Sequence, residues 1–297
     1  MLSLKNVSKN FQGFTAVNNL SFDLKKGQML GFLGRNGAGK TTTFRMILGL
    51  TNVSNGTIVW NNKKIDYTSY DNIGYLPEER GLHTKAKVYD ELKYLAKLKG
   101  VKKDEINGKI DYWLNRFNII ENKYKTIEKL SKGNQQKIQL LSSIIHNPQL
   151  LILDEPFSGL DPVNVELLKS AIIELKEQGT SIIFSTHRME HVEELCDDIC
   201  ILNKGNVVKH GNLKKIKKDY NIKKIILDSN VKLDFLMKNP NVLNIKEVKG
   251  SSIITINNAV EAKFIFQKIL EKECVNNIQL TDLSLNDIFV KLVGDID

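Results

Sequence analysis

A glycine-rich loop between an apolar run and a helical pattern constrains this sequence more than any other feature. The apolar run is Met29 to Leu33, and the helical spacing begins at Lys40. The loop fits G-x-x-x-x-G-K-[ST], and with the next threonine its residues are Gly34, Arg35, Asn36, Gly37, Ala38, Gly39, Lys40, Thr41 and Thr42. Glycines let backbone N–H groups approach phosphate oxygens, and a helix N-terminus adds a positive dipole. The pattern predicts a nucleotide phosphate site, with Lys40 on the outer phosphates and the Thr41 hydroxyl on Mg²⁺.

A second apolar run ends in two adjacent carboxylates. Residues 150–153 are Leu-Leu-Ile-Leu, typical of a strand buried in a parallel sheet, and Asp154 and Glu155 follow them. Ligands of open α/β sheets bind at this end of the strands. Since side chains alternate along a strand, one carboxylate can hold Mg²⁺ through water while the other polarises the attacking water. Adjacent carboxylates are often only a solvated strand end, but the phosphate loop favours the functional interpretation.

Changes of pattern along the chain predict two domains. Strands separated by helices predict an α/β domain over residues 1–212, with a helical subdomain at about 79–146. A basic linker, 213–223, leads to a small α+β accessory domain, 224–297. The order β-α-β-β-α-β predicts a ferredoxin-like arrangement there. Its predicted elements are strand Lys224–Leu227, helix Lys232–Lys238, strands Val242–Val248 and Ser252–Ile256, helix Val260–Lys272, strand Asn277–Leu280 and a short final helix, Leu285–Val293.

Composition and charge exclude some classes and leave others open. With 41% hydrophobic residues the chain can bury a core, so intrinsic disorder is excluded. No apolar run approaches the roughly 18–20 residues that cross a bilayer, and the first residues lack the regions of a secretory signal, so we expect an intracellular protein. Cys196, Cys200 and Cys274 show no disulfide or zinc spacing and are expected to be reduced, partly buried thiols. The net charge of +9 alone does not distinguish nucleic acid, anionic lipid or an anionic ligand.

Four further segments make residues 1 to about 215 resemble the nucleotide-binding subunit of an ATP-binding cassette (ABC) transporter. Residues 130–136, Leu-Ser-Lys-Gly-Asn-Gln-Gln, match the signature segment of that family. Residues 158–161 match its D-loop and 185–187 its switch-histidine segment, and Phe11 stands where an aromatic side chain usually stacks on adenine. The resemblance implies an α/β fold of the P-loop ATPase type, with a mixed sheet and a helical subdomain.

The same resemblance implies a head-to-tail dimer that encloses two ATP molecules with Mg²⁺. Glu155 would be the general base, His187 would hold the γ-phosphate and the attacking water, and Asp161 would couple the two sites. The signature of one subunit would contact the nucleotide of the other, through Ser131, Gly133, Asn134 and Gln135.

Two departures from the usual family pattern occur. Lys132 and Asn134 replace a glycine and a glutamine of the signature, and Glu78 occupies the Q-loop glutamine position. A carboxylate at position 78 can still ligate Mg²⁺, although it adds negative charge near the phosphates. Both departures, and the added C-terminal domain, resemble bacterial export-type subunits similar to sodium-efflux and drug-resistance ATPases.

The leading functional hypothesis is the ATP-hydrolysing subunit of a membrane exporter, peripheral at the cytoplasmic face of the membrane. It requires a separately encoded permease, gripped through the helical insert after Glu78, and a second ATP-binding subunit, either a copy or a different chain. We expect no nucleic acid partner, and we expect the C-terminal domain to stabilise or regulate the dimer. One alternative is a soluble ABC ATPase acting on ribosomes or DNA, whose relatives usually carry two cassettes or long heptad insertions. Another is a non-hydrolysing regulatory binder, which the intact Lys40, Asp154, Glu155 and His187 argue against.

Overall fold

The computed structural model describes residues 1–66, 68–79, 81–229, 233–248, 250–257, 259–271 and 275–294. The chain divides into two compact units, Met1–Gly211 and Asn212–Asp297. Among the described residues, no helix has both the length and the apolar character needed to cross a membrane.

The first unit alternates strands and helices as predicted for an α/β domain. In chain order its elements are β1 (Leu2–Phe11), β2 (Phe14–Leu24), β3 (Met29–Leu33), α1 (Lys40–Ile47), β4 (Asn55–Trp60), β5 (Lys63–Lys64), β6 (Ile73–Leu76), α2 (Val88–Leu98), α3 (Lys103–Arg116), α4 (Lys132–Ile144), β7 (Leu150–Asp154), α5 (Pro162–Glu177), β8 (Ser181–Ser185), α6 (Met189–Leu195), β9 (Asp198–Asn203) and β10 (Asn206–Asn212). Short 3-10 helices lie at Ser69–Asn72, Ile120–Asn122 and Ile127–Lys129.

Two sheets make up this unit. One has four antiparallel strands in the order β2-β1-β4-β5, and the other has six in the order β10-β9-β3-β8-β7-β6. In the six-stranded sheet β9, β3, β8, β7 and β6 are parallel to their neighbours in turn. Every residue of β3, β7 and β8 is buried, which explains why these strands are continuous apolar runs rather than alternating ones.

The strand order brings the predicted site residues to one edge of this sheet. β8 lies between β3 and β7, and the carboxyl ends of these parallel strands share one edge. The glycine-rich loop leaves β3, Asp154 ends β7, and Ser185, the register partner of Asp154, ends β8. The order of strands in the sheet therefore brings the loop and the carboxylates together, although more than 100 residues separate them in sequence.

The insert between β6 and β7 is helical, as predicted, and its last helix is fixed on β6. α2 and α3 bury one apolar face each, including Leu92 and Ile110, which are 0% exposed. α4 approaches β6 so closely that a Cβ on Gly74 would lie 2.1 Å from the Ser143 carbonyl oxygen. Only glycine can occupy position 74 without displacing the helix.

The second unit has the ferredoxin-like strand order that the sequence predicts. Its elements are α7 (Leu213–Asp219), β11 (Lys223–Asp228), β12 (Val242–Val248), β13 (Ser251–Ile256), α8 (Ala259–Leu270), β14 (Asn277–Asp282) and α9 (Leu285–Val293). The sheet is antiparallel in the order β12-β13-β11-β14. One side of it packs on a core that includes Ile225, Ile254 and Ile265.

Three predictions for this unit need correction. The helix predicted over 232–238 is wrong: the structure shows a 3-10 turn at Asp234–Leu236, and Lys232 lies outside the described residues. The backbone turns at Asn239, whose N–H donates to the Leu236 carbonyl oxygen and whose Oδ1 accepts from the Asn241 N–H at 2.9 Å. The segment expected to be a linker, 213–223, contains α7, whose Leu213 and Ile216 are buried. The predicted helix 260–272 also extends too far, since α8 ends at Leu270 and Glu271 lies in a turn, whereas Lys272 lies outside the described residues.

Two of the three cysteines are more deeply buried than predicted. Cys196 and Cys200 are free and buried, and burial raises the pKa of both thiols, that of Cys200 to about 12. They stay protonated at neutral pH and belong to the core. Cys274 lies outside the described residues.

Candidate functional site

The phosphate loop forms one wall of a cavity of about 580 Å³ at the carboxyl edge of the six-stranded sheet. Gly37 and Gly39 have φ of +80° and +104°, in the left-handed region that favours glycine. At Gly39 a Cβ would also lie 2.5 Å from the Ala16 carbonyl oxygen. The residues lining the cavity are Phe14, Ala16, Asn36, Gly37, Ala38, Gly39, Lys40, Thr41, Thr42, Glu78, Asp154, Glu155 and His187.

Lys40 lies on the phosphate loop itself. Its Nζ donates to the carbonyl oxygens of Gly34 at 2.7 Å and Arg35 at 3.3 Å, and these two loop residues do not line the cavity. Burial lowers the pKa of Lys40, and the neighbouring carboxylates, Asp154 foremost, oppose that shift. The ammonium group is thus held among negative charges beside a loop built for anions.

Asp154 and Glu155 have different partners. Asp154 is 2% exposed, its Oδ2 lies 3.3 Å from the Thr41 hydroxyl, and its Oδ1 accepts from the Ser185 hydroxyl. Glu155 has φ of +50°, which turns the chain sharply after β7. Its Oε2 lies 3.0 Å from His187 Nδ1, and the His187 side chain is 73% exposed. One carboxylate therefore faces the phosphate loop and the other the switch histidine, so the two can act differently, as the strand pattern predicts.

The signature residues lie away from this cavity in their own chain. The Ser131 hydroxyl caps α4 by accepting from the Asn134 N–H at 3.3 Å, and the Gln135 side chain donates to the carbonyl oxygens of Ile127 and Leu130. Gly133, like these three residues, is absent from the cavity lining. The N-terminus of α4 consequently has no role in the nucleotide cavity of the same subunit.

Asp161 and Phe11 also lie outside the cavity lining. Asp161 caps α5, and a hydrogen bond from the Asn164 backbone N–H lowers the pKa of its carboxyl. Phe11 is 45% exposed and stacks on Phe14, with ring centroids 5.6 Å apart. The aromatic ring that reaches the cavity is that of Phe14, which the sequence does not single out.

Two family profiles match the chain. Residues 17–158 match the family described as "ABC transporter". Residues 211–293 match the C-terminal domain of the "ATP-binding protein DrrA1-3-like" family. The first profile covers the phosphate loop, the signature and both carboxylates, and the second covers nearly all of the ferredoxin-like unit.

Whole-length similarity to a bacterial protein decides the family. The ABC transporter ATP-binding protein YhaQ of Bacillus subtilis is 50% identical over 296 residues, which span 100% of this chain and 99% of YhaQ. The chain belongs to the ABC transporter ATP-binding subunits. The bacitracin transport ATP-binding protein BcrA of Enterococcus faecalis is 33% identical over 73% of the chain and 71% of its own length. A solved ATP-binding subunit of an ABC transporter, 29% identical, superposes with a TM-score of 0.70 over 74% of this chain and 93% of its own.

Membership of this family settles the class of activity. This ABC subunit binds and hydrolyses ATP as part of a transporter, and the relatives are transport proteins rather than ribosomal ones. The alternative of an ATPase acting on ribosomes or nucleic acid therefore has no support among them.

The donor groups in the cavity fit Mg²⁺. Thr41 and Asp154 present hard oxygen ligands 3.3 Å apart, and Glu78 lines the same cavity. Within the described ranges, no three His, Cys, Asp or Glu side chains form a set that could hold a metal. A cation here would consequently share its coordination with phosphate oxygens and water, which is how Mg²⁺ is usually held with nucleotides.

Two hydroxyls at the end of β8 support the carboxylates of this ABC subunit, and the sequence motif that contains them assigns them no role. The Ser185 hydroxyl bonds Asp154, and the Thr186 hydroxyl donates to Glu155 Oε2 at 3.1 Å. The Arg188 N–H in turn donates to Thr186 Oγ1 at 3.1 Å, which directs the hydroxyl proton toward the carboxylate. The available sequence signal is that both residues directly precede His187 in segment 185–187, and the parallel register of β7 and β8 then brings Ser185 beside Asp154.

Replacing Thr186 by valine is expected to lower kcat for ATP about tenfold, because the variant removes a hydrogen bond to a charged oxygen and keeps the side-chain shape. KM for ATP should change little, since Thr186 does not line the cavity. Thr186→Ser, which retains the hydroxyl, is the matched control and should restore most of the rate. Steady-state ATPase measurements test this, and equal losses in the valine and serine variants would contradict it.

Proposed function

We propose that this subunit drives export of a substrate through a separately encoded permease, at the cytoplasmic face of the membrane. The observation that carries the proposal is an apolar cavity of about 480 Å³ in the first unit. It lies between β6 and the helical insert, next to the segment that carries Glu78, and Tyr75, Leu82 and Leu95 are among its lining residues. An apolar cavity of this size accepts the apolar face of a short helix or loop from a partner.

The direction of transport is inferred from relatives and domain content. The C-terminal profile belongs to a DrrA1-3-like family, and a 33% identical relative is named for bacitracin transport. Glu78 and Lys132, at positions where the family usually has glutamine and glycine, fit the same export-type branch. These observations favour export over uptake and leave the cargo to the permease.

We propose a head-to-tail dimer with two ATP molecules between the subunits. Ser131 and Gly133 lie outside the cavity of their own chain, at the N-terminus of a 13-residue helix that suits an anion. Each signature would therefore contact the γ-phosphate held by the phosphate loop of the partner, and Asp161 would couple the two sites. The partner is either a second copy of this chain or a related subunit.

Glu155 and His187 are the proposed catalytic pair. In the hydrolytic step the oxygen of water attacks the γ-phosphorus, the bond to the β-phosphate oxygen breaks, and Glu155 accepts a proton from the water. His187 lies 3.0 Å from the carboxylate of Glu155, which it would orient, and it lines the cavity, where it would hold the γ-phosphate. Thr41, Asp154 and Glu78 would hold Mg²⁺, which neutralises phosphate charge when bound.

Purification of the tagged protein from detergent-solubilised native membranes, with mass spectrometry of bound proteins, tests the export proposal. We expect a polytopic membrane protein in stoichiometric amount, since the subunit needs a permease to act. Tyr75→Glu, which places a charge in the 480 Å³ cavity, should reduce that recovery, and a charge at the exposed Tyr112 should not. Recovery only from the cytosol, with ribosomal or DNA-repair proteins bound, would contradict the proposal.

A further inference from the structure

Helix α4, which begins at the signature, and the residues just after it contact β6 and the segment that follows the strand. At the start of the strand, His146 Nε2 is 3.3 Å from the Ile73 carbonyl oxygen. In the middle, Gly74 allows the backbone of Ser143 to approach closely. At the end, the side chain of Gln139 reaches past the strand into the segment that follows it.

Gln139 contacts both residues that flank Glu78. Its Nε2 donates to the Pro77 carbonyl oxygen at 3.0 Å and to the Glu79 carbonyl oxygen at 3.1 Å. The residue is 3% exposed, so these bonds form away from competing water. A single buried amide thus holds the backbone on either side of the carboxylate that enters the nucleotide cavity.

The orientation of the amide is fixed by its partners. Rotating the group by 180° would place Oε1 against two carbonyl oxygens, which is repulsive. In the observed orientation Oε1 is buried and has no hydrogen-bond partner among the described residues. Leaving Oε1 buried without a partner costs free energy, and the two hydrogen bonds that Nε2 donates offset this cost. This imbalance indicates that the contact with residues 77 and 79 determines the conformation of Gln139.

Glu78 itself is placed by this segment. It lines the nucleotide cavity, and its charge acts on Lys40, whose pKa it helps to keep from falling further. Because Glu78 follows β6 outside any helix or strand, its position depends on contacts made by its backbone neighbours. The contacts of Gln139 supply that restraint from the signature helix.

We propose that Gln139 is a positioning residue that fixes the Glu78 segment to the signature helix and so places the Glu78 carboxylate in the nucleotide site. The inference rests on the proposed role of Glu78 toward bound Mg²⁺ and ATP. Gln139 also lines the apolar cavity beside β6, which is the proposed docking site for the permease. The same side chain therefore contacts this cavity and holds the segment that carries Glu78. The signature segment ends at residue 136, before Gln139, and no sequence motif indicates this contact between residues about 60 positions apart.

Amide hydrogen exchange on the full-length protein without nucleotide tests the restraint directly. Gln139→Met keeps the volume and removes both donors, so exchange of a peptide covering residues 77–83 should become about tenfold faster. The matched control is Ser142→Ala on the same helix, whose hydroxyl donates to the carbonyl oxygen of Gln139 within α4. The control should leave that peptide unchanged, and peptides of β7 and β8 should exchange at wild-type rates in both variants.

A second measurement asks whether the restraint acts through Glu78. With a fluorescent ATP analogue, the ratio of Kd in EDTA to Kd in Mg²⁺ should fall severalfold in Gln139→Met, with Kd in EDTA unchanged. In a Glu78→Ala background the same substitution should have no further effect on the ratio, since the group being positioned is gone. If Gln139→Met folds poorly, Gln139→Asn, which keeps the amide but is one methylene shorter, should show the same pattern.

Two results would overturn the proposal. One is wild-type exchange over residues 77–83 in the methionine variant, and the other is additive effects of the substitutions at 78 and 139. Neither result bears on whether the subunit copurifies with a permease, so the positioning role and the export proposal fail separately.

Discussion

Replacing Glu155 by glutamine is expected to retain ATP binding and to reduce ATP hydrolysis by about 10²–10⁴-fold, the usual contribution of a general base. Glutamine has the same shape and can adopt the backbone conformation at φ of +50° as readily as glutamate. Its amide oxygen can still accept from the Thr186 hydroxyl. The substitution therefore removes the proton acceptor and leaves its surroundings in place.

The second expected result for Glu155→Gln is an ATP-bound dimer that does not dissociate. If hydrolysis reopens the dimer, ATP should hold Glu155→Gln in a dimeric state that the wild type occupies only briefly. Size-exclusion chromatography with ATP, together with a steady-state ATPase assay, measures both effects. Glu177→Gln, an exposed position at the end of α5, is the matched control and should behave as wild type. Near-normal hydrolysis by Glu155→Gln would show that another group is the base.

The nucleotide site could be predicted from sequence where its parts are local. The phosphate loop, the apolar strands β3 and β7 and the carboxylates after β7 are short contiguous segments, each with its own physical signature. Gly37 and Gly39 adopt left-handed backbone conformations, which explains why the loop has glycine at these two positions. Local chemistry of this kind needs no knowledge of distant residues.

The supporting contacts could not be predicted in the same way. Thr186 reaches Glu155 because β7 and β8 are parallel neighbours, a pairing that the apolar pattern of either strand does not specify. Gln139 reaches residues 77 and 79 because α4 packs on β6 at Gly74. Such contacts depend on which elements become neighbours, and apolar runs of similar composition leave that choice open.

In the second unit, too, some helices and strands could be predicted from sequence and others could not. The order of elements β-α-β-β-α-β predicts the order of its strands in the sheet, and alternating apolar residues mark β13. The helix predicted over 232–238 fails because apolar spacing alone does not reveal the turn at Asn239, whose Oδ1 accepts from the Asn241 N–H. Conversely, α7 is not predicted, because the many lysines of this segment indicate a solvated linker. Its two buried residues, Leu213 and Ile216, nevertheless have helical spacing.

Acid should destabilise the first unit through His146. Burial foremost, then the charge of Lys99, lowers the pKa of His146 from 6.5 to about 4, and the Ile73 carbonyl and Asp71 oppose this shift. The unfolded chain consequently binds more protons between these pH values, and the contribution of His146 to stability is present above pH 6.5 and lost as pH falls toward 4. The expected loss of unfolding free energy is about 2 kcal/mol from pH 7 to pH 5 and about 3 kcal/mol near pH 4.

Tryptophan fluorescence during urea unfolding can isolate this effect, because both tryptophans, Trp60 and Trp113, are buried in the first unit. His146→Gln can still donate to the Ile73 carbonyl but cannot titrate, so its loss of stability between pH 7 and pH 5 should be about 2 kcal/mol smaller than that of wild type. His210→Gln, at an exposed position, should keep the wild-type difference. If His146→Gln and wild type lose stability equally, carboxylates elsewhere rather than the buried imidazole control the acid sensitivity of this unit.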